Sequence, residues 1–375
     1  MIYNEGIYNS HWMTKKLSDL GIFSRGISKH RPRNDPKLFE GGGYPLVQTG
    51  EIKNSILYIR KHQQEYNKLG LMQSKLWEAG TLCITIAANI AETAILSYPM
   101  CFPDSIVGFQ AYKEQSSELF MYYVFEYIRH AVQNAAYGSA QDNINIDYLT
   151  SLEFKIPNKD YQDQIVATLS VIDGNILLNN QINDNLMQMA STAFMHYFFE
   201  RTPNGKLGSI IIEHPKSNIQ VGEAQNSSGN VPFFTSGDSI LKWDTVLVDD
   251  RCCYLNTGGN ADVKFYVGKA AYSTDTWCIS GMDQLSDYLY LLLYAIKPEL
   301  DKKFFQGTGL KHLQKPLLKD RPIYIPTTQE LNVFNTQIMP MMTKISENTR
   351  ENQRLMSIRD WLLPLLMNGQ ATVEA

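Results

Sequence analysis

The stretch Ile165-Val166-Ala167-Thr168-Leu169-Ser170-Val171-Ile172-Asp173-Gly174-Asn175-Ile176 opens a long segment in which apolar side chains recur every three or four residues. The same spacing continues, with polar residues at its first two positions, through Asn179, Asn183, Leu186, Ala190, Ala193 and Tyr197. A 3.5-residue repeat that is held over about four heptads is typical of a coiled-coil seam. The segment therefore predicts a long helix that packs against a similar partner.

A second copy of this segment begins 169 residues further along the chain. Its seam positions are Phe334, Ile338, Met341, Ile345, Asn348, Asn352, Leu355, Arg359, Leu362 and Leu366. Asparagines occupy the same two positions in both copies, and only Arg359 replaces an apolar residue of the first copy. Pro364 is expected to kink or end the second helix near its last turns, because proline lacks the N–H that the helix needs.

The asparagines predict how the two helices are oriented. A seam asparagine costs stability unless its amide finds a partner, and it can fix the register of a coiled coil. Antiparallel packing places Asn179 opposite Asn352 and Asn183 opposite Asn348, whereas parallel packing places Asn179 beside Asn348. The alternative is that these asparagines lie on an exposed edge.

The duplication extends to the residues before each helix. Gly138-Ser139-Ala140-Gln141 aligns with Gly307-Thr308-Gly309-Leu310, and Phe154-Lys155-Ile156-Pro157 aligns with Ile323-Tyr324-Ile325-Pro326. Earlier, residues 44–51 (YPLVQTGE) echo residues 231–238 (VPFFTSGD). These alignments predict an α+β protein with two globular units in a pseudo-twofold arrangement, joined by two long helices that form an antiparallel coiled coil. The expected boundaries are 1–158 and 201–327 for the units, and 159–200 and 328–369 for the helices.

Each unit contains short apolar runs and turn signals that predict strands. The predicted strands include Thr81–Ile86, Ala94–Tyr98, Ile106–Tyr112, Thr245–Leu247 and Val263–Val267. The stretch Asn256-Thr257-Gly258-Gly259-Asn260 is typical of a hairpin connection. One aromatic-rich helix is expected in each unit, over Ser117–Gln133 and Gln284–Phe304.

The composition indicates an ordinary globular chain. It has 375 residues, 44% of them hydrophobic, which is enough for two or three packed domains. No window is apolar enough for a membrane span, and the first residues do not resemble a signal peptide, so a cytoplasmic location is expected. The five cysteines lack the spacing of a zinc site and are expected to be buried thiols, and the seven histidines are scattered, so no metal site is predicted.

Charge gives a mixed indication about nucleic acid. The net charge of −4 counts against a simple nucleic-acid binder. Two stretches, Arg25–Lys37 and Asp301–Arg321, each carry a local charge of +4. Such stretches are often only solvated surface, but one in each half also suits phosphate contacts.

The pseudo-twofold arrangement itself suits a ligand with two half-sites, of which duplex DNA is the commonest. Small residues in the Gly-Ser/Thr loops would let backbone amides approach a phosphate, although an ordinary turn explains these loops equally well. The residues predicted to contact DNA, mainly from loops rather than from a recognition helix, are Gln48, Thr49, Lys53, Ser139, Gln141, Ser236, Thr308 and Lys311.

The sequence offers no convincing catalytic motif. It has no glycine-rich phosphate or dinucleotide loop at a strand–helix junction and no His-Glu-x-x-His. Asp35 with Glu51-Ile52-Lys53 superficially fits a metal-dependent nuclease, but the second half has Asp238-Ser239-Ile240 at the latter position, without the lysine. We expect no catalytic residues in this chain.

The chain resembles the specificity subunit of type I restriction–modification enzymes. The similarity lies in residues 45–52 (PLVQTGEI), in 156–173, which is similar to the family's central spacer, and in 358–369 (IRDWLLPLLMNG), which is similar to its distal spacer. It extends over nearly the whole chain. The overall acidity and the weaker Ser236-Gly237-Asp238 version of the first motif depart from the family pattern.

The resemblance implies two target-recognition domains that each read one half of a split, asymmetric DNA sequence. It also implies an antiparallel coiled coil that sets the gap and docks two modification subunits. Those subunits would bind S-adenosylmethionine and methylate adenine, and restriction subunits would cleave DNA using ATP and Mg²⁺. The runner-up within DNA binding is a specificity unit that serves a fused methyltransferase–nuclease system. The alternative of a different class is a protein-binding assembly scaffold without DNA readout.

Overall fold

The computed structural model describes residue 4 and residues 6–137, 146–307 and 309–373. The chain divides into two compact units. The first contains Met1–Leu177 and Arg354–Ala375, and the second contains Leu178–Gln353. The two long helices run from Lys159 to Phe194 and from Thr328 to Met367, so each contributes one segment to each unit.

The first unit contains eleven strands among its described residues. They are β1 (Met13–Lys16), β2 (Gly21–Arg25), β3 (Tyr44–Leu46), β4 (Tyr58–Ile59), β5 (Gln64–Tyr66), β6 (Leu76–Trp77), β7 (Leu82–Thr85), β8 (Thr93–Leu96), β9 (Met100–Cys101), β10 (Ile106–Ala111) and β11 (Glu153–Ile156). They form a five-stranded sheet in the order β2-β10-β7-β8-β4, a four-stranded sheet in the order β5-β3-β9-β6, and the pair β1-β11. The predicted strands Thr81–Ile86, Ala94–Tyr98 and Ile106–Tyr112 correspond to β7, β8 and β10.

The helices of the first unit are mostly short. Apart from the 3₁₀ turns at 7–9 and 36–38, they are α1 (Leu17–Leu20), α2 (Thr49–Lys53), α3 (Lys68–Met72), α4 (Glu118–Tyr137), α5 (Ile146–Ser151), the start of α6 (Lys159–Phe194) and the end of the distal helix. Leu82 and Ile84 of β7 pack with α4, α6 and the end of the distal helix, while Cys83 between them packs on the other side with Val47 and Ile52. The five-stranded sheet is therefore covered on both faces, as the alternation of side chains along a strand requires.

The second unit has a single large sheet. Its strands are β12 (Gly205–Lys206), β13 (Ile211–Glu213), β14 (Val231–Phe234), β15 (Ile240–Trp243), β16 (Val248–Asn256), β17 (Val263–Tyr272), β18 (Thr276–Gly281), β19 (Phe305–Gln306), β20 (His312–Leu313) and β21 (Pro322–Ile323). Six of them form the order β13-β18-β16-β17-β14-β15, and β12-β21 and β19-β20 form two small pairs. Apart from the 3₁₀ turns at 207–209 and 282–284 and the π-helical turns at 195–199 and 300–304, its helices are the end of α6, α7 (Val221–Gln225), α8 (Ser286–Ala295), α9 (Lys297–Glu299), α10 (Lys315–Lys319) and most of α11 (Thr328–Met367).

The duplication is visible in the strand pairing. β3 pairs with β9 in parallel in the first unit, and β14 pairs with β17 in parallel in the second. The pair β1-β11 likewise corresponds to β12-β21, since each places the strand before a long helix beside the first strand of its unit. The hairpin predicted at residues 256–260 connects β16 to β17, with Gly259 at a φ of +80° that favours glycine.

Two local expectations were wrong. Residues Thr245–Leu247 are not a strand but the link between β15 and β16, where Val246 and Leu247 are 44% and 42% exposed despite their apolar character. The helix expected over Gln284–Phe304 is broken after Ala295, because Pro298 has no N–H to continue the helical bonding. Among the described residues, no helix is both long enough and apolar enough to cross a membrane.

Candidate nucleic-acid interface

Three of the predicted DNA-contacting residues lie together at the end of β3. Gln48 and Lys53 are exposed and Thr49 is half-buried. The structure places Thr49 and Lys53 in α2, and Gln48 is the residue that caps its N-terminus, so this part of the candidate surface is a short helix rather than a loop.

Local hydrogen bonds explain why α2 forms at this point. The backbone N–H of Gln48 donates to Oε2 of Glu51 at 2.6 Å, which is the return bond of a capping box. The other oxygen, Oε1, accepts from the backbone N–H of Gln63 at 2.8 Å. Glu51 therefore holds α2 against the residues before β5, and both of its oxygens are used in doing so.

This arrangement bears on the superficial nuclease pattern. Both oxygens of Glu51 are already used, and Asp35 has partners of its own. It accepts the backbone N–H of Lys37 at 3.0 Å and lies 2.9 Å from Nε2 of His30. The hydrogen bond from Lys37 and the interaction with His30 lower the pKa of Asp35. Both carboxylates thus have structural partners, and the arrangement gives no support to a catalytic pair.

The corresponding residue of the second unit, Ser236, lies in the loop after β14. Its hydroxyl donates to the backbone O of Asp275 at 2.6 Å. Lys264 crosses from β17 and donates to the backbone O of Thr235 at 2.9 Å and of Gly237 at 2.6 Å. The loop is therefore held by its own unit, and the hydroxyl proton of Ser236 is already used within it.

Lys311, the other predicted contact in the second unit, is half-buried and pairs with Asp301. Its Nζ lies 3.1 Å from Oδ2 of Asp301, and the hydrogen bond from Lys311 lowers the pKa of that carboxyl group. The charge of Lys311 is thus partly neutralised inside the protein. Ser139, Gln141 and Thr308 lie outside the described residues.

Ion pairs also reduce the charge of the two basic stretches. In the first stretch, Arg33 pairs with Asp104 at 2.6 Å and Arg31 lies 3.7 Å from the same carboxylate, whereas Arg25, Lys29 and Lys37 are exposed. In the second stretch, four of the six cations pair with carboxylates; the pairs are Lys303–Glu299, Lys311–Asp301, Lys319–Glu213 and Arg321–Glu299. The second stretch therefore presents far less free positive charge than its sequence indicates.

The net charge of the larger regions around Lys53 in the first unit and Ser236 in the second also differs, and the first region is the more positive. Residues 25–75, which carry β3, α2, β5 and α3, contain ten Lys or Arg and four Asp or Glu, a net charge of +6. Residues 214–272, which carry β14 to β17, contain five Lys or Arg and six Asp or Glu, a net charge of −1. Of these two regions, positive charge is therefore concentrated in the one that belongs to the first unit.

The seam asparagines meet in the pairs that antiparallel packing predicts. Within the second unit, Nδ2 of Asn179 donates to Oδ1 of Asn352 at 2.9 Å, and Nδ2 of Asn348 donates to Oδ1 of Asn183 at 2.8 Å. Asn352 also donates to Oδ1 of Asn180 at 2.8 Å. Asn348 and Asn352 are 3% and 6% exposed, so the alternative of an exposed edge is wrong for them.

Arg359, the residue that breaks the apolar repeat, has a buried partner in the first unit. Its Nη1 lies 3.1 Å from Oδ1 of Asp173, whose side chain is fully buried. Oδ2 of Asp173 accepts the hydroxyl of Tyr123 at 2.7 Å, so each oxygen has a donor. Burial, followed by the charge of Asp173, raises the pKa of Tyr123, which keeps that hydroxyl protonated.

The second unit anchors the distal helix with a different arginine, which the sequence did not single out. Arg251 of β16 makes two bonds to Asp287 of α8, at 2.6 and 2.5 Å. The same guanidinium donates to the hydroxyl of Thr343 at 3.0 Å and to the backbone O of Met339 at 3.2 Å. One guanidinium therefore joins the sheet, α8 and α11 of this unit.

The sequence also missed a cluster of potential metal ligands. All five cysteines are buried, as expected, but the histidines are not all remote from them. His214, Cys252 and Cys278 bring one nitrogen and two sulfur atoms within 4.8 Å of one another. Because these residues are far apart in the sequence and share no short motif, their spacing gave no signal.

Comparison with known proteins gives a consistent result. A family model described as "Type I restriction modification DNA specificity domain" matches the chain twice, over residues 9–188 and 200–359. The chain is 21% identical to the type I restriction enzyme MjaIX specificity subunit of Methanocaldococcus jannaschii, over 97% of this chain and 94% of that protein. It is 37% identical to the type I restriction enzyme HindI specificity subunit of Haemophilus influenzae, over 60% of this chain and 71% of that protein.

The fold is also similar to a solved structure. The crystal structure of the type I restriction–modification system S subunit from M. genitalium superposes with a TM-score of 0.59 at 16% sequence identity. The superposition covers 98% of this chain and 99% of that one. The similarity in fold therefore includes both units and both long helices.

Proposed function

The chain belongs to the type I restriction–modification DNA specificity family, and on this premise we propose that it reads a bipartite, asymmetric DNA sequence without catalysing a reaction itself. The observation that carries the proposal is that the family model matches each half separately. Each half also has its own apolar core and its own copy of the parallel strand pair. Two complete units in one chain suit two half-sites of different sequence.

We assign base and phosphate contacts to the surface at the end of β3 and to its counterpart after β14. Gln48, Thr49 and Lys53 serve the first half-site, and Ser236 and Lys311 serve the second, with Ser139, Gln141 and Thr308 as further candidates. An exposed Gln48 can contact a base edge through its amide, and an exposed Lys53 can contact a phosphate. The ion pair of Lys311 weakens its case relative to that of Lys53.

The helices would serve as a spacer and as a docking surface. A 36-residue α6 is about 54 Å long at 1.5 Å per residue. We propose that α6 and α11 set the gap between the half-sites and dock two modification subunits, with restriction subunits joining them in the cytoplasm. S-adenosylmethionine, ATP and Mg²⁺ would be bound by those partners, and the seam asparagines would keep the register of the helices.

Co-expression with a modification subunit of the same restriction–modification system tests the proposal directly. Methylated adenines mapped across the host genome should fall in one motif with two defined halves and a gap of fixed length. A contiguous motif, or methylation that does not depend on this chain, would contradict the proposal.

Deleting seven residues from each long helix should shorten the gap or abolish methylation, and an unchanged gap would contradict the spacer role.

The assembly-scaffold alternative makes a different prediction about salt. A complex that contacts DNA phosphates loses affinity steeply as the salt concentration rises. A scaffold whose units recognise only protein should leave the DNA affinity of its partners unchanged when Lys53 is substituted. Binding measured with and without this chain at several salt concentrations therefore separates the two functions.

A further inference from the structure

The cluster of His214, Cys252 and Cys278 lies on one face of the six-stranded sheet in the second unit. Nε2 of His214 is 3.4 Å from Sγ of Cys252 and 3.0 Å from Oγ of Ser280. The three potential ligand atoms of His214, Cys252 and Cys278 all lie within 4.8 Å of one another, and both cysteines are buried.

Strand pairing explains why these residues meet. β16 and β18 pair so that Tyr254 is opposite Cys278, which places Cys252 two residues away on the same face. His214 directly follows β13, and its backbone N–H donates to the backbone O of Cys278 at 3.1 Å. Two paired strands therefore hold the two cysteines, and a backbone hydrogen bond to Cys278 holds His214 beside them at the end of a third strand.

We propose that this cluster binds one zinc-class cation through Nε2 of His214 and the thiolates of Cys252 and Cys278. Zinc takes sulfur ligands at about 2.3 Å and imidazole nitrogen at about 2.0–2.1 Å, usually in a tetrahedron. Ligand atoms in such a site are separated by roughly 3.5–4 Å, so the present spacing needs only a small contraction. A donor set of two thiolates and one imidazole selects zinc over calcium or magnesium, which prefer oxygen.

The charge balance also fits a buried position. Binding releases the two thiol protons to solvent, and the dication with two thiolates and a neutral imidazole has no net charge. This matters because the side chains on the core side of the cluster are aromatic; Phe234, Tyr254 and Tyr272 belong to the same core as the two cysteines. A neutral complex avoids the large cost of burying an unbalanced charge.

The fourth coordination position would face a cavity. A cavity of about 350 Å³ is bordered by His214 and Cys278 and also by Lys216, Lys315 and Asp275. It can supply a water molecule as the fourth ligand, which leaves the complex without net charge. The hydroxyl of Ser280, which lies 3.0 Å from Nε2 of His214, would have to turn away from the nitrogen.

Such a cation would link β13, β16 and β18, and would thereby stabilise the second unit alone. Cys253 provides a matched control for this inference. It neighbours Cys252 on the same strand and is fully buried, but it belongs to the core on the opposite side of the sheet with Leu255 and Ile279. Substitution of Cys253 removes a buried thiol without removing a proposed ligand.

The test uses the full chain, stripped with a chelator and then titrated with Co²⁺ or Zn²⁺ alone. The wild type and Cys253→Ala should bind one equivalent and show the thiolate-to-cobalt charge-transfer absorption. Cys252→Ala, Cys278→Ala and His214→Ala should lose at least tenfold in affinity and lose or alter that absorption. Zinc at a hundredfold excess over its Kd should raise the Tm of the second-unit transition by about 5–10 °C in the wild type.

Two results would overturn the proposal. One is a wild-type chain that binds less than a tenth of an equivalent and shows no Tm shift with zinc. The other is a Cys253→Ala variant that loses the charge-transfer absorption as completely as Cys252→Ala does. Should a ligand variant fail to fold, the chelator and zinc titrations of the wild type still decide the matter. None of these readouts depends on DNA recognition.

Discussion

At equivalent positions where the two long helices pack together, the two units have different kinds of contact. In the first, Asp173 on α6 meets Arg359 on α11 and accepts the hydroxyl of Tyr123 from α4. The 169-residue offset places Met342, Ala190 and Leu292 at these three positions of the second unit, and all three lie in its apolar core. A buried ion pair in one copy thus corresponds to an apolar contact in the other.

This difference shows that the helix pairing does not require the ion pair. A buried ion pair is often no more stabilising than well-packed apolar residues of similar volume, but a half of such a pair is strongly destabilising. The three polar residues therefore form a set, because Asp173 needs two donors and Tyr123 needs an acceptor. The second unit lacks all three polar residues rather than one of them, so it buries no charge without a partner at these positions.

Breaking the set should give the largest effect. Arg359→Ala leaves the fully buried carboxylate of Asp173 without its cation, and we expect a loss of about 3–5 kcal/mol in the free energy of unfolding of the first unit. Denaturant unfolding measures the loss, and hydrogen exchange assigns it to a unit. Arg354→Ala, which removes an exposed arginine from the same helix, is the control and should change stability by at most about 0.5 kcal/mol. Equal losses in the two variants would show that Asp173 does not depend on Arg359.

The seam asparagines occupy the same positions in both long helices, and substituting one of them should reduce stability by an intermediate amount. Asn348→Ala removes the donor to Asn183 from a buried position, and we expect a loss of about 1–2 kcal/mol from the second unit. Asn332→Ala on the exposed side of the same helix is the matched control. A gain in stability, as for a simple apolar replacement at a seam, would mean that the amide pair is not stabilising.

Replacing the three polar residues of the first unit with their apolar counterparts from the second should change the free energy of unfolding less. The triple substitution Tyr123→Leu, Asp173→Met and Arg359→Ala removes every polar member of the set together. We expect an unfolding free energy within about 1.5 kcal/mol of the wild type, the ordinary range for a tolerated apolar repacking. The same denaturant titration checks this. If the triple variant is as unstable as Arg359→Ala alone, unpaired charge is not the cause of that variant's loss.

The long helices could be predicted because their signal is local and periodic. The recurrence of apolar residues and the matching asparagines indicated the antiparallel pairing, and the structure confirms that fold. The sequence also marked Arg359 as the one mismatch in the second copy. It could not supply Asp173 and Tyr123 as partners, because the residue spacing of a seam does not show which polar groups become buried together.

The candidate surfaces were less predictable for a related reason. Lys311 and Ser236 are engaged by Asp301 and by the backbone of Asp275, contacts that depend on loop geometry. One cation of the second basic stretch, Lys319, pairs with Glu213, which is remote in the sequence. His214 and Cys252 likewise meet only because β13 and β16 both flank β18. Pairing across a sheet brings such residues together without leaving a motif.

The smallest expected effect is on the salt dependence of DNA affinity when Lys53 or Lys311 is substituted. This prediction rests on the proposed DNA contacts. Lys53 is exposed in a region of net charge +6, whereas Lys311 is already paired with Asp301. In the assembled complex, Lys53→Ala should lower the slope of log affinity against log salt by about one, the value for one phosphate contact. Lys311→Ala should lower it by less, because the cation that it removes is already partly neutralised. DNA binding at several salt concentrations measures both slopes, and an equal or larger change for Lys311→Ala would mean that the Asp301 pair opens when DNA binds.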